Sequence, residues 1–147
     1  MVGVADGDTI TVLDGQRQQH KIRLAGIDAP EKRQDFGNRA KQSLSALAYR
    51  QQVIVETGKT DRYGRLISKV IVNGHDVNLE QVRRGMAWHY KAYEREQVPA
   101  DRGAYTAAED AARASRAGLW AMPSPIPPWE FRRAVKARHG GALSVVE

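Results

Sequence analysis

The chain has 147 residues, 41% hydrophobic and 27% charged, with 23 Lys and Arg against 17 Asp and Glu for a formal charge of +6. That length fits one domain burying roughly two-thirds of its unfolded surface, and no run approaches the roughly 20 apolar residues of a membrane helix. The absence of cysteine excludes disulfides, zinc-thiolate sites and a thiol nucleophile, while the basic balance suits a polyanionic partner, nucleic acid above all.

Residues 4–13 read as a strand interrupted by Asp6-Gly7-Asp8 and continued by Thr9-Ile10-Thr11-Val12-Leu13. Asp14-Gly15 is a hairpin signal, and a strand over 20–27 returns from it. Apolar Ile22 and Leu24 alternate with charged neighbours there, which puts Arg23 on the opposite face. Pro30 ends the ladder. A helix over about 38–51 follows, with Ala40, Leu44, Leu47 and Ala48 at helical spacing. Val53-Ile54-Val55 predicts a third strand, and a loop over 61–65 leads to another over 66–72 before the Asn73-Gly74 turn. A second helix, capped by Asp76 or Asn78, ends near Gly85. Residues 88–101 look irregular, and an alanine-rich third helix over about 102–117 stops at Gly118. The Pro-rich 123–128 excludes regular structure; a short helix over 129–138 and fraying from Gly140 are expected. This order predicts an α+β fold, a small five-stranded Greek-key barrel of the oligonucleotide-binding (OB) type with about three packed helices.

Chemistry concentrates in Arg23-Leu24-Ala25-Gly26-Ile27-Asp28-Ala29-Pro30-Glu31. An arginine and two carboxylates meet at a strand end and the turn after it. An arginine fork binds phosphate bidentately, and carboxylate oxygens suit a hard cation. The same run also fits a helix N-terminus, with Asp28 as cap and Glu31 favourable to the dipole. On this stretch alone the two readings weigh equally. Taken alone, Asp6-Gly7-Asp8 reads as a turn or bulge and 61–65 as a solvated hairpin loop, although Arg65 opens a convincing strand. His20, His75, His89 and His139 show no His-x-His or HExxH spacing, so none is assigned to a metal. Trp120 and Trp129 fit packing against the Pro-rich segment, and Trp88 sits among candidate ligand contacts.

In series, Asp6-Gly7-Asp8-Thr9, the 23–31 run and Asp61-Arg62-Tyr63-Gly64-Arg65 resemble the thermonuclease family, the staphylococcal (micrococcal) nuclease-like proteins. The resemblance covers about 4–120 and takes in Val82-Arg83-Arg84-Gly85-Met86-Ala87 and Gly118-Leu119-Trp120. It implies a barrel of that oligonucleotide-binding type and Ca²⁺-dependent hydrolysis of DNA and RNA that leaves 3′-phosphate ends. By motif, Asp8 and Asp28 would be calcium ligands, and Ala29 would ligate through its carbonyl where the best-known member has a threonine. Glu31 would be the general base or orient the water, and Arg23 and Arg65 would bind phosphate. Tyr63 and Tyr90 would lie beside the bound nucleotide. These residue types suit the reaction, because guanidiniums and a cation stabilise the charge that a phosphodiester gathers in its transition state. A non-catalytic OB-type nucleic-acid-binding module is the alternative, and the filled set Asp8, Arg23, Asp28, Glu31 and Arg65 argues against it.

The chain thus divides into a nuclease-like domain over 1–122 and a Pro-rich extension over 123–147 that packs back on it. DNA and RNA are the expected partners, single-stranded or denatured forms preferred, with a monomeric protein. Met1-Val2-Gly3-Val4-Ala5 has no signal-peptide character. Its abrupt entry into the first motif predicts a trimmed upstream signal or anchor and a secreted or periplasmic location.

Overall fold

The computed structural model describes residues 3–146, with side chains as far as residue 137. Strands β1 (Gly3–Asp6) and β2 (Thr9–Leu13) are joined by a two-residue turn at Gly7-Asp8. Their register slips between Val4 and Asp6, a bulge that bends the end of β1 and re-aims Asp6. Asp14 Oδ1 accepts from the amides of Gln16 and Gln18 at 2.8 and 2.9 Å, closing the next turn. The chain returns as β3 (Gln19–Leu24), antiparallel to β2 with Ile10 opposite Ile22.

After β4 (Ile27–Asp28) and α1 (Gly37–Ala48) come β5 (Ile54–Thr60), β6 (Leu66–Val72) and β7 (His75–Asp76). β6 runs parallel to β3 and antiparallel to β5, giving the order β1-β2-β3-β6-β5, with β7 also on β6. The α+β architecture agrees with the sequence reading. The barrel is open, however: among the described residues no pairing joins β1 to β5. Instead α1 packs against β1, and β5 turns most of its residues to solvent.

Helices α2 (Val77–Arg83), α3 (Pro99–Ser115) and α4 (Pro128–Val146) complete the fold, with 3-10 turns at Lys91–Glu96 and Gly118–Ala121. α4 is the last helix expected over 129–138, but it is longer and continues through Gly140, where fraying was expected, because no helix-breaking proline follows Pro128. The sequence reading also missed β4 and its partner β8 (Trp88–His89), because two-residue strands are too short to show an alternating pattern.

Ile10, Ile22, Leu24 and Val70 come from the strands and are fully buried against Ala40, Leu44 and Ala48 of α1 and Val82 of α2. Each such larger apolar side chain contributes about 1.5–3 kcal/mol by leaving water. Two buried amides on α2 then fix the loops. Asn78 accepts from the Val70 amide at 3.2 Å and donates to the carbonyls of Ala25 and Ser68, both at 3.0 Å. Gln81 donates to the carbonyls of Gly7 and Ala40 at 2.8 and 3.0 Å, and accepts from Ser43 Oγ at 2.6 Å. Asp76, rather than Asn78, caps α2 by accepting from the Leu79 amide at 3.0 Å. Gly7 is sterically required, since a Cβ there would lie 2.5 Å from Ala40 Cβ and 2.8 Å from Ala29 Cβ.

Candidate active site

The β1–β2 turn, the β3–β4 segment and the β5–β6 turn converge on one open cleft of about 770 Å³. All the residues that the sequence picked out line it: Asp8, Arg23, Asp28, Ala29, Glu31, Tyr63, Arg65 and Tyr90. The backbone explains why they meet. Arg23 is the register partner of Thr9 across the β2–β3 pair, and the Leu24 amide donates to the Asp8 carbonyl at 2.8 Å. The Ala29 amide donates to Asp8 Oδ2 at 2.8 Å, and the Thr9 hydroxyl to Asp8 Oδ1 at 3.1 Å.

Arg23 is 13% exposed and held from two sides. Its Nη1 donates to the carbonyls of Leu24 and Ile27 at 2.7 and 2.9 Å. Its Nη2 lies 3.4 Å from Asp8 Oδ2 and 3.3 Å from Asp28 Oδ1. Two buried carboxylates therefore converge on one guanidinium nitrogen. Asp28 caps no helix: it belongs to β4, and turns fill 32–36 before α1 starts after Phe36 at φ 68°. The helix-cap reading of this run is thereby overturned.

Arg65 is oriented by Asp61, which accepts from its amide at 3.0 Å and from its Nε at 2.7 Å. That contact uses Nε and leaves the terminal nitrogens of the fork for an anion. Tyr63 is two-thirds exposed at the turn tip, under the guanidiniums of Arg62 and Arg65 at 5.1 and 5.4 Å. Tyr90 is set beside β4 by its amide, which donates to the Gly26 carbonyl at 2.9 Å.

Two residues lining the cleft, Asp6 and Arg132, were missed, as was Trp129, which stacks on the lining Tyr90. Asp6 sits two residues before Asp8 and accepts from the Asp8 amide at 3.3 Å; the Asp-x-Asp spacing was the available signal. Arg132 and Trp129 come from α4. Arg132 donates through Nη1 to Asp28 Oδ1 at 2.9 Å and Glu31 Oε1 at 2.7 Å, and through Nη2 to Asp28 Oδ2 at 2.7 Å. The Trp129 ring lies parallel to Tyr90, 5.2 Å between centroids and 7° between planes. Trp120 and Trp129 do pack as expected, in one cluster with Trp88, but the ligand-contact reading of Trp88 is overturned. Trp88 is buried, edge-on to Trp120 at 4.4 Å and to Trp129 at 5.5 Å. Trp129 is the one that reaches the cleft aromatics.

Charge in the cleft is unevenly tolerated. Burial first, and the negative charge of Asp8 second, push the Asp6 carboxyl up to about 7. Burial also opposes ionisation of Asp8, but Arg23 and the surrounding donors overcome it and hold Asp8 below the usual carboxylate range. Asp28 is shifted upward by burial, against the pull of Arg132 and Arg23. Burial, then the nearby Asp28 charge, raise the Tyr90 phenol. A buried carboxylate in this state favours any cation that reaches it.

That donor set suits Ca²⁺. Asp8 and Asp28 offer hard oxygens, and a backbone carbonyl and waters complete the irregular six to eight ligands that this ion accepts. Among the described residues no group of three or more His, Cys, Asp or Glu is arranged to hold a metal ion, so an ion here would depend on the two aspartates, the carbonyl and water. The Arg132 guanidinium already stands on Asp28 as a cation would.

The chain is also similar to known proteins. A family model described as Staphylococcal nuclease homologue matches residues 21–122. A protein named Micrococcal nuclease, from Shigella flexneri, is 43% identical over 145 residues, covering 92% of this chain and 80% of its own length. An "Uncharacterized endonuclease" from Haemophilus influenzae is 41% identical over 136 residues, covering 92% and 73%. "Protein ParB" from Escherichia coli is 42% identical over 142 residues, covering 90% and 77%.

Proposed function

The chain belongs to the staphylococcal nuclease family and is a nuclease, and we propose that it hydrolyses the phosphodiester bonds of DNA and RNA with calcium, leaving 3′-phosphate ends. The convergence of buried Asp8 and Asp28 on Arg23, beside Glu31, supports this reading above all. Asp8, Asp28 and the Ala29 carbonyl would hold the ion. When bound, Ca²⁺ would supply positive charge to the phosphate oxygens and lower the pKa of nearby water.

The side chains divide the rest of the work. Arg65 is preorganised by Asp61 through Nε, so its fork meets the developing negative charge without reorganising, while Arg23, fixed by two backbone carbonyls and two carboxylates, supplies positive charge from a set position beside it. Glu31 accepts a proton as water forms its bond to phosphorus, a role typically worth about 10²–10⁴ in rate. The bond to the 5′-oxygen breaks on the opposite side, and that oxygen takes a proton from solvent. Tyr63 and Tyr90 give stacking faces for unpaired bases, which favours single-stranded or denatured substrate.

The decisive experiment is digestion of denatured DNA and of RNA by the purified protein, in millimolar Ca²⁺ and in chelator. Calcium-dependent loss of both polymers with new 3′-phosphate ends is expected. Equal digestion in chelator would remove calcium from the mechanism. Binding without cleavage in Ca²⁺ would return the chain to the class of non-catalytic barrels.

A further inference from the structure

We propose that the first turn of α4 is a latch that occupies both the cation position and the nucleotide platform of the site, and that Ca²⁺ and α4 compete for the same carboxylate. The inference rests on the calcium reading above. Arg132 takes both oxygens of Asp28 and one of Glu31. An ion ligated by Asp28 must displace it from at least one oxygen, and two cations on one carboxylate repel each other besides. Arg132 also holds one Glu31 oxygen, so the docked helix removes that acceptor from the water the carboxylate would activate. Independently, Trp129 covers one face of Tyr90 in the parallel geometry that a nucleobase would adopt.

The attachment is local, as a releasable element requires. Trp129 and Arg132 are spaced i, i+3 and so project from one helix face. The Ile126 carbonyl, accepting from Gln34 Nε2 at 2.5 Å, holds the chain just before them. Beyond the latch, residues 133, 134, 136 and 137 are exposed. Among the described residues of α4, docking therefore rests on its first two turns, where Phe131 and Val135 are half-buried beside Trp129 and Arg132, and an element attached over so short a span opens at lower free energy than the core. Because coupling is reciprocal, Arg132 must weaken Ca²⁺ binding by the factor by which Ca²⁺ weakens docking.

The test is calorimetric titration of CaCl₂ into the full-length parent, Arg132→Gln and Arg133→Gln, with hydrogen exchange followed over 128–134. Arg133 is exposed and outside the cleft, so its variant controls for the change in net charge. Losing the charge-assisted fork should tighten Ca²⁺ binding about tenfold or more in Arg132→Gln, with little change in Arg133→Gln. In the parent, Ca²⁺ should speed exchange over 128–134. If the parent binds Ca²⁺ and Arg132→Gln binds it equally or more weakly, the latch is wrong and the calcium reading stands. If neither binds Ca²⁺, the calcium reading fails and takes the latch with it.

Discussion

Replacing Arg23 by Met keeps an unbranched stem and removes the guanidinium between Asp8 and Asp28. Asp28 still has Arg132 on both oxygens, so the loss falls on Asp8, left with the donors of Ala29 and Thr9. A buried carboxylate without a cation escapes its penalty by taking a proton. The penalty therefore has a ceiling, set by the gap between the pH and the ordinary value of 3.8. At about 1.36 kcal/mol per unit, the ceiling is about 4 kcal/mol at pH 7 and about 1.6 kcal/mol at pH 5. The carbonyls of Leu24 and Ile27 lose donors at either pH, adding roughly 1–2 kcal/mol. In the variant, Asp8 has its folded pKa raised above the unfolded value, so the stability that protonation gives below 3.8 is lost as pH rises. Arg23→Met should be about 3–5 kcal/mol less stable than the parent at pH 7, and about 2 kcal/mol closer to it at pH 5. Urea unfolding in chelator, followed by tryptophan fluorescence at both pH values, measures the two gaps. A gap that stays constant or widens on acidification would show that Asp8 does not depend on Arg23 for its charge.

Arg65→Ala should lower turnover on denatured DNA by about 10²–10³, with stability within about 1 kcal/mol because its pair with Asp61 is partly exposed. Unchanged turnover would remove Arg65 from the mechanism. Gly7→Ala places a methyl 2.5 Å from Ala40 Cβ and should cost about 1–3 kcal/mol while weakening Ca²⁺ binding through the displaced Asp8 turn; a thermal melt matching the parent would refute it. Gln81→Ala leaves the carbonyls of Gly7 and Ala40 without their donor, so a loss of about 2–4 kcal/mol is expected. An unchanged urea midpoint would mean that water replaces the amide there.

What the sequence revealed about the site follows from how near its parts lie in the chain. Asp8, Arg23, Asp28 and Glu31 sit within 24 residues of one another, on a hairpin and the turn after it, where alternation and turn residues dictate geometry directly. Arg65 was legible because a strand begins at Leu66. The β4–β8 pair was not, since two residues carry no period. The open sheet was hidden too: closure depends on whether β1 and β5 meet, and that is decided by α1 packing against β1, not by either strand's own residues.

Arg132 marks where this kind of reading ends. It lies 104 residues from Asp28 in the chain, after a Pro-rich segment whose path no local rule fixes. Its partner set can still be understood in retrospect. Asp6, Asp8, Asp28 and Glu31 bring four carboxyl groups to one cleft, and before α4 arrives Arg23 is shared between Asp8 and Asp28 while Glu31, among the described residues, lacks an ion pair of its own. Such a site draws cations, and the chain supplies one from its own C-terminal helix. The concentration of acid that suits the site to a divalent ion is therefore the same feature that lets α4 close over it. A stronger latch would protect the folded protein and slow the enzyme, and a weaker one would do the reverse.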